Sequence, residues 1–166
     1  MSMLRAMLRL VVNTTQSASK ILEWVHHGIS GENFNTDHFA SCALLNYDPT
    51  SRKLEISTGG TTPVYYFDRE TKEIKKPSAP RKPIGVDKTS SSENEIKEKK
   101  NGDIIVTYTD GLVEALNDQG LQYGKEKLLD LITKHSNASS KDIANLVKSD
   151  VKKFIGTTEL HDDQTL

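Results

Sequence analysis

Two acidic features stand where a chain of this pattern should turn. Asp110-Gly111 follows the run Ile104-Ile-Val-Thr-Tyr-Thr109, so a carboxylate sits where an expected buried strand reaches the rim of its sheet. Gly111 would permit the turn there. A carboxylate fixed at a strand end and open to solvent suits oxygen ligation of a hard cation, although Asp-Gly is also an ordinary turn. The second feature is His161-Asp-Asp-Gln-Thr-Leu166, in which Asp162 and Asp163 precede what reads as the start of a strand. Adjacent like charges repel unless something positive is shared between them, and a divalent ion is the usual solution. A solvated acidic chain end is the plain alternative.

Other reactive side chains have simpler readings. His26 and His27 close a helical pattern, where imidazoles are well placed near the negative end of the dipole. Cys42 has no second cysteine to pair with and apolar neighbours, so it reads as a core thiol, in keeping with a reducing, cytoplasmic compartment.

The elements that must position the carboxylates follow from periodicity. Met3, Leu4, Met7, Leu8 and Val11 recur at helical spacing. A second helix is expected from Ser17 to Gly28, with Ile21, Leu22, Trp24 and Val25 inward and Gly28 as its stop. Phe39 to Tyr47 and Lys53 to Thr58 read as a hairpin around Asp48-Pro-Thr-Ser51, and Val64 to Phe67 pairs with Glu73 to Lys75 across Asp68 to Lys72. Gly31 to Asp37, the proline-rich Pro77 to Pro83 and Thr89 to Ser92 read as loops. Asn101-Gly102 suggests a tight hairpin between Glu95–Lys100 and Asp103–Thr109. Helices over Lys125–Lys134 and Ser139–Phe154 and a terminal strand complete an α+β domain built on antiparallel sheets.

Composition narrows the function classes. The 166 residues carry 22 Lys and Arg against 23 Asp and Glu, a formal charge of −1, which argues against a dedicated nucleic-acid binder. Hydrophobic residues make up 35%, enough for one core. The stretch Met3–Val12 is interrupted by Arg5 and Arg9 and falls well short of the roughly 20 apolar residues a membrane span needs, so no membrane association is expected.

Taken together the acidic motifs have a familiar order. Gly102-Asp-Ile-Ile-Val-Thr-Tyr-Thr-Asp-Gly-Leu-Val-Glu114 resembles the signature of the stage II sporulation protein E type phosphatases, which belong to the metal-dependent type 2C serine/threonine class. Tyr123-Gly124 and Asp162-Asp-Gln-Thr165 resemble further motifs of that family, Gly59-Gly-Thr-Thr-Pro63 and Pro83-Ile-Gly85 resemble two of its loops, and Phe39 matches an aromatic that opens one of its strands.

The resemblance implies an α/β-β/α sandwich of antiparallel sheets flanked by helices. It implies Asp110 and Asp162 as metal ligands, with Asp163 a ligand or outer partner, holding two ions in a complete domain. Hard oxygen donors favour Mg²⁺ or Mn²⁺ over Zn²⁺. Glu114 and His161 occupy no ligand position in the pattern and are assigned to structure. Gly59 and Gly60 would belong to a substrate loop, in which Gly60 and Thr61 replace the usual His and Asn. The implied substrate is a phosphoserine or phosphothreonine protein, of the kind that controls an anti-sigma factor in bacterial signalling. The family's first metal motif, an Asp followed by Gly-His-Gly, is absent, so residues 1–166 are expected to form one partial, N-terminally truncated domain. Weak activity and self-association as a homodimer would follow, and a catalytically incomplete interaction domain is the rival reading.

Overall fold

The computed structural model describes residues 2–13, 17–30, 39–76, 82–86 and 95–166. The expected loops over residues 31–37 and 89–92, and most of the proline-rich run, lie outside them. In chain order the elements are α1 (Ser2–Val11), α2 (Ala18–Ser30), β1 (Cys42–Asp48), β2 (Lys53–Gly59), β3 (Val64–Asp68), β4 (Glu73–Lys75), β5 (Glu95–Glu98), β6 (Ile104–Thr107), α3 (Asp110–Val113), α4 (Lys125–Lys134) and α5 (Ser140–Ile155). They fall into two compact units, one of residues 1–62 with 77–99 and one of 63–76 with 100–166.

The first unit holds an antiparallel sheet in the order β1-β2-β5. Alternation buries Leu54 and Ile56 of β2, and α2 lies against β1 and β2. Ile21, Leu22, Val25 and Ile29, at positions i, i+1, i+4 and i+8, lie on one face and form the buried stripe of α2. Two expectations fail on this helix. Trp24 is 64% exposed, because it lies off that stripe. Gly28 does not stop the helix, which runs on to Ser30; a β-carbon there would stand 3.1 Å from Sδ and Cε of Met7, so its bareness admits α1 instead. His26 is buried, with the Gly85 N–H donating to its Nδ1 at 3.2 Å and Ser30 Oγ 3.5 Å from its Nε2. Its role is to tie α2 to the Ile84-Gly85 turn. Cys42 is partly buried against the same cluster, and burial pushes its thiol pKa up, as expected for an inert core thiol.

The second unit holds the antiparallel sheet β4-β3-β6. Tyr65, Val106 and Tyr108 pack with Leu128 and Ile132 of α4 and Ile143, Val147 and Val151 of α5 in one core. Ser139 caps α5, its Oγ accepting the Asp142 N–H at 3.1 Å.

The first two expected hairpins form, and by the same device. Asp48 pairs with Lys53, and Asp68 with Glu73, across four-residue loops. Each loop opens on an aspartate that accepts the N–H two residues on, Thr50 to Asp48 and Glu70 to Asp68, both at 2.9 Å. Each closes on a residue in the left-handed region, Arg52 (φ 55°) or Lys72 (φ 58°).

The third hairpin is corrected. Asn101-Gly102 does turn, with Gly102 at φ 92° and Asp103 N–H donating to Lys100 C=O at 3.2 Å, but β5 pairs with β2 whereas β6 pairs with β3. The turn therefore joins strands of different sheets. The buried Asp103 carboxylate holds it, accepting from Lys100 N–H at 2.7 Å, Arg69 N–H at 3.1 Å and the Tyr66 hydroxyl.

Candidate metal centre

Strand β6 ends at Thr107, two residues earlier than its apolar run suggests, and Asp110 is the first residue of the single-turn helix α3. An acidic residue in a first turn faces the positive end of the helix dipole. Asp110 is exposed. Two residues upstream the buried Tyr108 stacks on Tyr65 with ring centroids 6.1 Å apart. Burial first, and lesser contributions that include the Asp110 charge, push the Tyr108 phenol up from its ordinary value.

The chain end comes back to this corner. Thr109 N–H donates to Thr165 C=O at 3.1 Å, and Thr165 N–H donates to Thr109 Oγ1 at 3.0 Å. The Thr109 hydroxyl donates in turn to Asp163 C=O at 3.0 Å, and Gln164 Nε2 donates to Gly111 C=O at 3.3 Å. These bonds lay residues 162–165 alongside Thr109–Gly111, although no strand is formed there. A β-carbon at Gly111 would stand 2.7 Å from the Asp163 carbonyl oxygen and 3.0 Å from Cβ of Asp162. Asp162 Oδ1 accepts the Asp163 N–H at 2.8 Å, and both side chains are exposed.

Asp162 and Asp163 are thus brought to the residue next to Asp110 in the chain. Their donors are hard oxygens, which suits Mg²⁺, an ion that keeps several waters and takes one or two carboxylates. Among the described residues no group of three or more His, Cys, Asp or Glu side chains gathers as a metal ion would require. What the corner offers is exposed carboxylate oxygens from two segments, a donor set that would suit an ion keeping most of its waters. Glu114 and His161 join Gly111, Gln122, Ile155 and Asp162 in lining an open cavity of about 250 Å³ at this corner.

Gly59 and Gly60 belong to the first unit. A β-carbon at Gly59 would stand 2.9 Å from Cγ1 of Ile84, and Gly60, at φ 92°, has its backbone against Ser41. Both glycines are explained by close backbone packing and a left-handed turn. Thr109 and Asp103 stand inside the Gly102–Glu114 signature, but the sequence assigns neither of them a role. Thr109 reads only as the end of the expected strand, and nothing in the chain's order announces a partner more than fifty positions away.

The family model of stage II sporulation protein E (SpoIIE) matches residues 1–166. Solved structures share the fold. The SiaA PP2C domain of Pseudomonas aeruginosa aligns with a TM-score of 0.85 at 16% identity, covering 98% of this chain and 65% of that one. The PP2C phosphatase domain of SpoIIE from Bacillus subtilis, with a fragment of its regulatory domain, aligns with a TM-score of 0.73 at 16% identity, covering 97% and 46%. RsbX in complex with magnesium aligns with a TM-score of 0.67 at 16% identity, covering 96% and 68%. The chain thus spans about two thirds or less of the length of these relatives. No curated protein sequence matches it. Matched by the family model from end to end and sharing the fold of PP2C domains, the chain belongs to the stage II sporulation protein E family.

Proposed function

We propose that the chain acts as a metal-dependent serine/threonine protein phosphatase domain, with Asp110 and Asp162 as metal ligands and Asp163 as a ligand or outer partner. The observation that carries this reading is the return of Asp162-Asp163 to the Asp110-Gly111 corner, across more than fifty residues of chain. A bound Mg²⁺ or Mn²⁺ supplies charge neutralisation at the phosphoryl group and lowers the pKa of bound water. The chain's own part is to fix the carboxylates: α3 sets Asp110, and the bonds from Thr109 and Gln164 set the chain end. The proposed substrate is a phosphoserine or phosphothreonine regulatory protein of the anti-sigma-factor antagonist kind, in bacterial signalling. Among the described residues no helix is long and apolar enough to cross a membrane.

The test is hydrolysis of a generic aryl phosphate with millimolar Mn²⁺. Turnover should depend on the metal, and Asp110→Asn should lower it by more than the roughly 10–100-fold that loss of an outer partner brings. Metal-independent turnover, or an active Asp110→Asn variant, would sink the assignment. A second reading, a non-catalytic interaction domain on the same scaffold, is favoured by the lack of three gathered ligands among the described residues. It predicts no turnover at any Mn²⁺ concentration.

A further inference from the structure

We infer that Thr109 is a positioning residue whose hydroxyl clamps the Asp162-Asp163 segment beside Asp110. The inference rests on the metal reading above for its consequence, but the clamp itself rests on geometry. Thr109 occupies the N-cap position of α3 with extended backbone (φ −90°, ψ 152°), and its side chain makes no capping hydrogen bond. A threonine in that place ordinarily uses its oxygen to accept a helix N–H. Here the hydroxyl faces the chain end, donating to Asp163 C=O and accepting from Thr165 N–H, each at 3.0 Å. One oxygen therefore bonds to the two residues flanking Gln164 while its own backbone leads directly into Asp110. The extended backbone at Thr109 is one that a β-branched residue favours.

A capping role would make Thr109 a matter of α3 stability alone, whereas the clamp sets the separation between two parts of the acidic site. Because the side chain does not cap, Thr109→Val removes the clamp and leaves α3 its helix contacts. The backbone bond from Thr109 N–H to Thr165 C=O involves no side-chain atom, so no substitution at Thr109 removes its donor or acceptor.

The experiment compares the parent with Thr109→Val and Thr109→Ser by amide hydrogen exchange without metal and by calorimetric titration with Mn²⁺. Valine should lose the protection of the Thr165 amide and weaken Mn²⁺ binding roughly tenfold, as loss of an outer partner does. Serine should match the parent in both. Unchanged Thr165 protection in the valine variant overturns the inference, and so does lost protection with Mn²⁺ affinity intact, or a serine variant that behaves like valine. If the valine chain does not fold, Thr109→Ala is read in the same way. Should the parent take up no Mn²⁺ at a site sensitive to Asp110→Asn, the metal reading fails, and hydrogen exchange still decides the clamp.

Discussion

Gly111 and Asp162 are fifty-one positions apart, yet a β-carbon placed on Gly111 would stand 3.0 Å from Cβ of Asp162 and 2.7 Å from the neighbouring Asp163 carbonyl oxygen. The backbone at Gly111 is not left-handed, so the turn after Asp110 does not itself demand glycine. What demands it is the returning chain. Glycine here serves proximity between the start of α3 and the returning chain end.

Gly111→Ala should therefore destabilise the domain even though alanine is the better helix former. Alanine gains up to about 1 kcal/mol of helix propensity, but overpacking against a backbone carbonyl costs about 1–3 kcal/mol, and α3 is only one turn long. Thermal unfolding should show a net loss, and Mn²⁺ titration a weaker site. An alanine variant as stable as the parent, with equal Mn²⁺ affinity, would show that the chain end is not held where the structure puts it.

The two hairpin loops carry strain that glycine would relieve. Arg52 and Lys72 sit at φ 55° and 58°, a conformation costing an L-residue about 1–2 kcal/mol, against about 0.5–1 kcal/mol for glycine's extra chain entropy. Arg52→Gly and Lys72→Gly should each stabilise by about 0.5 kcal/mol. Chemical denaturation of the single variants reads this directly, and destabilisation by both would contradict the loop geometry.

Local signals in the sequence suffice where one segment decides its own structure. The period of Ile21, Leu22 and Val25 marks the face of α2, Ser139 marks the start of α5, and Asp48 and Asp68 mark the first two turns. Reading fails where a distant partner decides. Asn101-Gly102 specifies a turn, but not which strands pair beyond it, and β5 and β6 find β2 and β3 instead of each other. Trp24 counts as apolar in any pattern yet lies outside the buried stripe. At the candidate site Asp110, Asp162 and Asp163 were legible as residue types at turns, whereas Thr109 owes its role to bonds with Asp163 and Thr165 that no local pattern encodes.

Asp103→Asn should cost about 2–3 kcal/mol, because it leaves a buried donor unpaired. One carboxylate oxygen accepts Arg69 N–H, and the other accepts Lys100 N–H together with the Tyr66 hydroxyl. The tyrosine hydroxyl can turn to accept from an amide, but a backbone N–H cannot. Either orientation of the asparagine therefore sets its NH₂ against a backbone N–H. Equilibrium unfolding in urea should show the midpoint lowered. A variant as stable as the parent would mean that the Lys100–Asp103 turn is not held by this carboxylate.

The domain should also lose stability in alkali, through phenols kept neutral in the folded state. Tyr66, Tyr108 and Tyr123 are buried, and burial, helped by Asp103 beside Tyr66 and Asp150 beside Tyr123, holds their pKa values above the usual 10.0. Below about pH 10 these tyrosines are protonated whether the chain is folded or not, so they give no pH dependence. Above it the unfolded chain releases protons that the folded chain retains. Proton loss then favours unfolding, and their contribution declines from about pH 10 up through the raised native values. Tyr123 offers the cleanest test, since its hydroxyl donates to Asp150 at 2.8 Å while Lys127 holds the same carboxylate at 3.2 Å. Tyr123→Phe should cost about 1 kcal/mol at neutral pH through the lost hydrogen bond. Its melting temperature should then fall less steeply than the parent's between about pH 9 and about pH 11, because one fewer phenol distinguishes the two states. Parallel melting curves for the two proteins across that range would show that Tyr123 ionises as readily in the folded domain as in the unfolded chain.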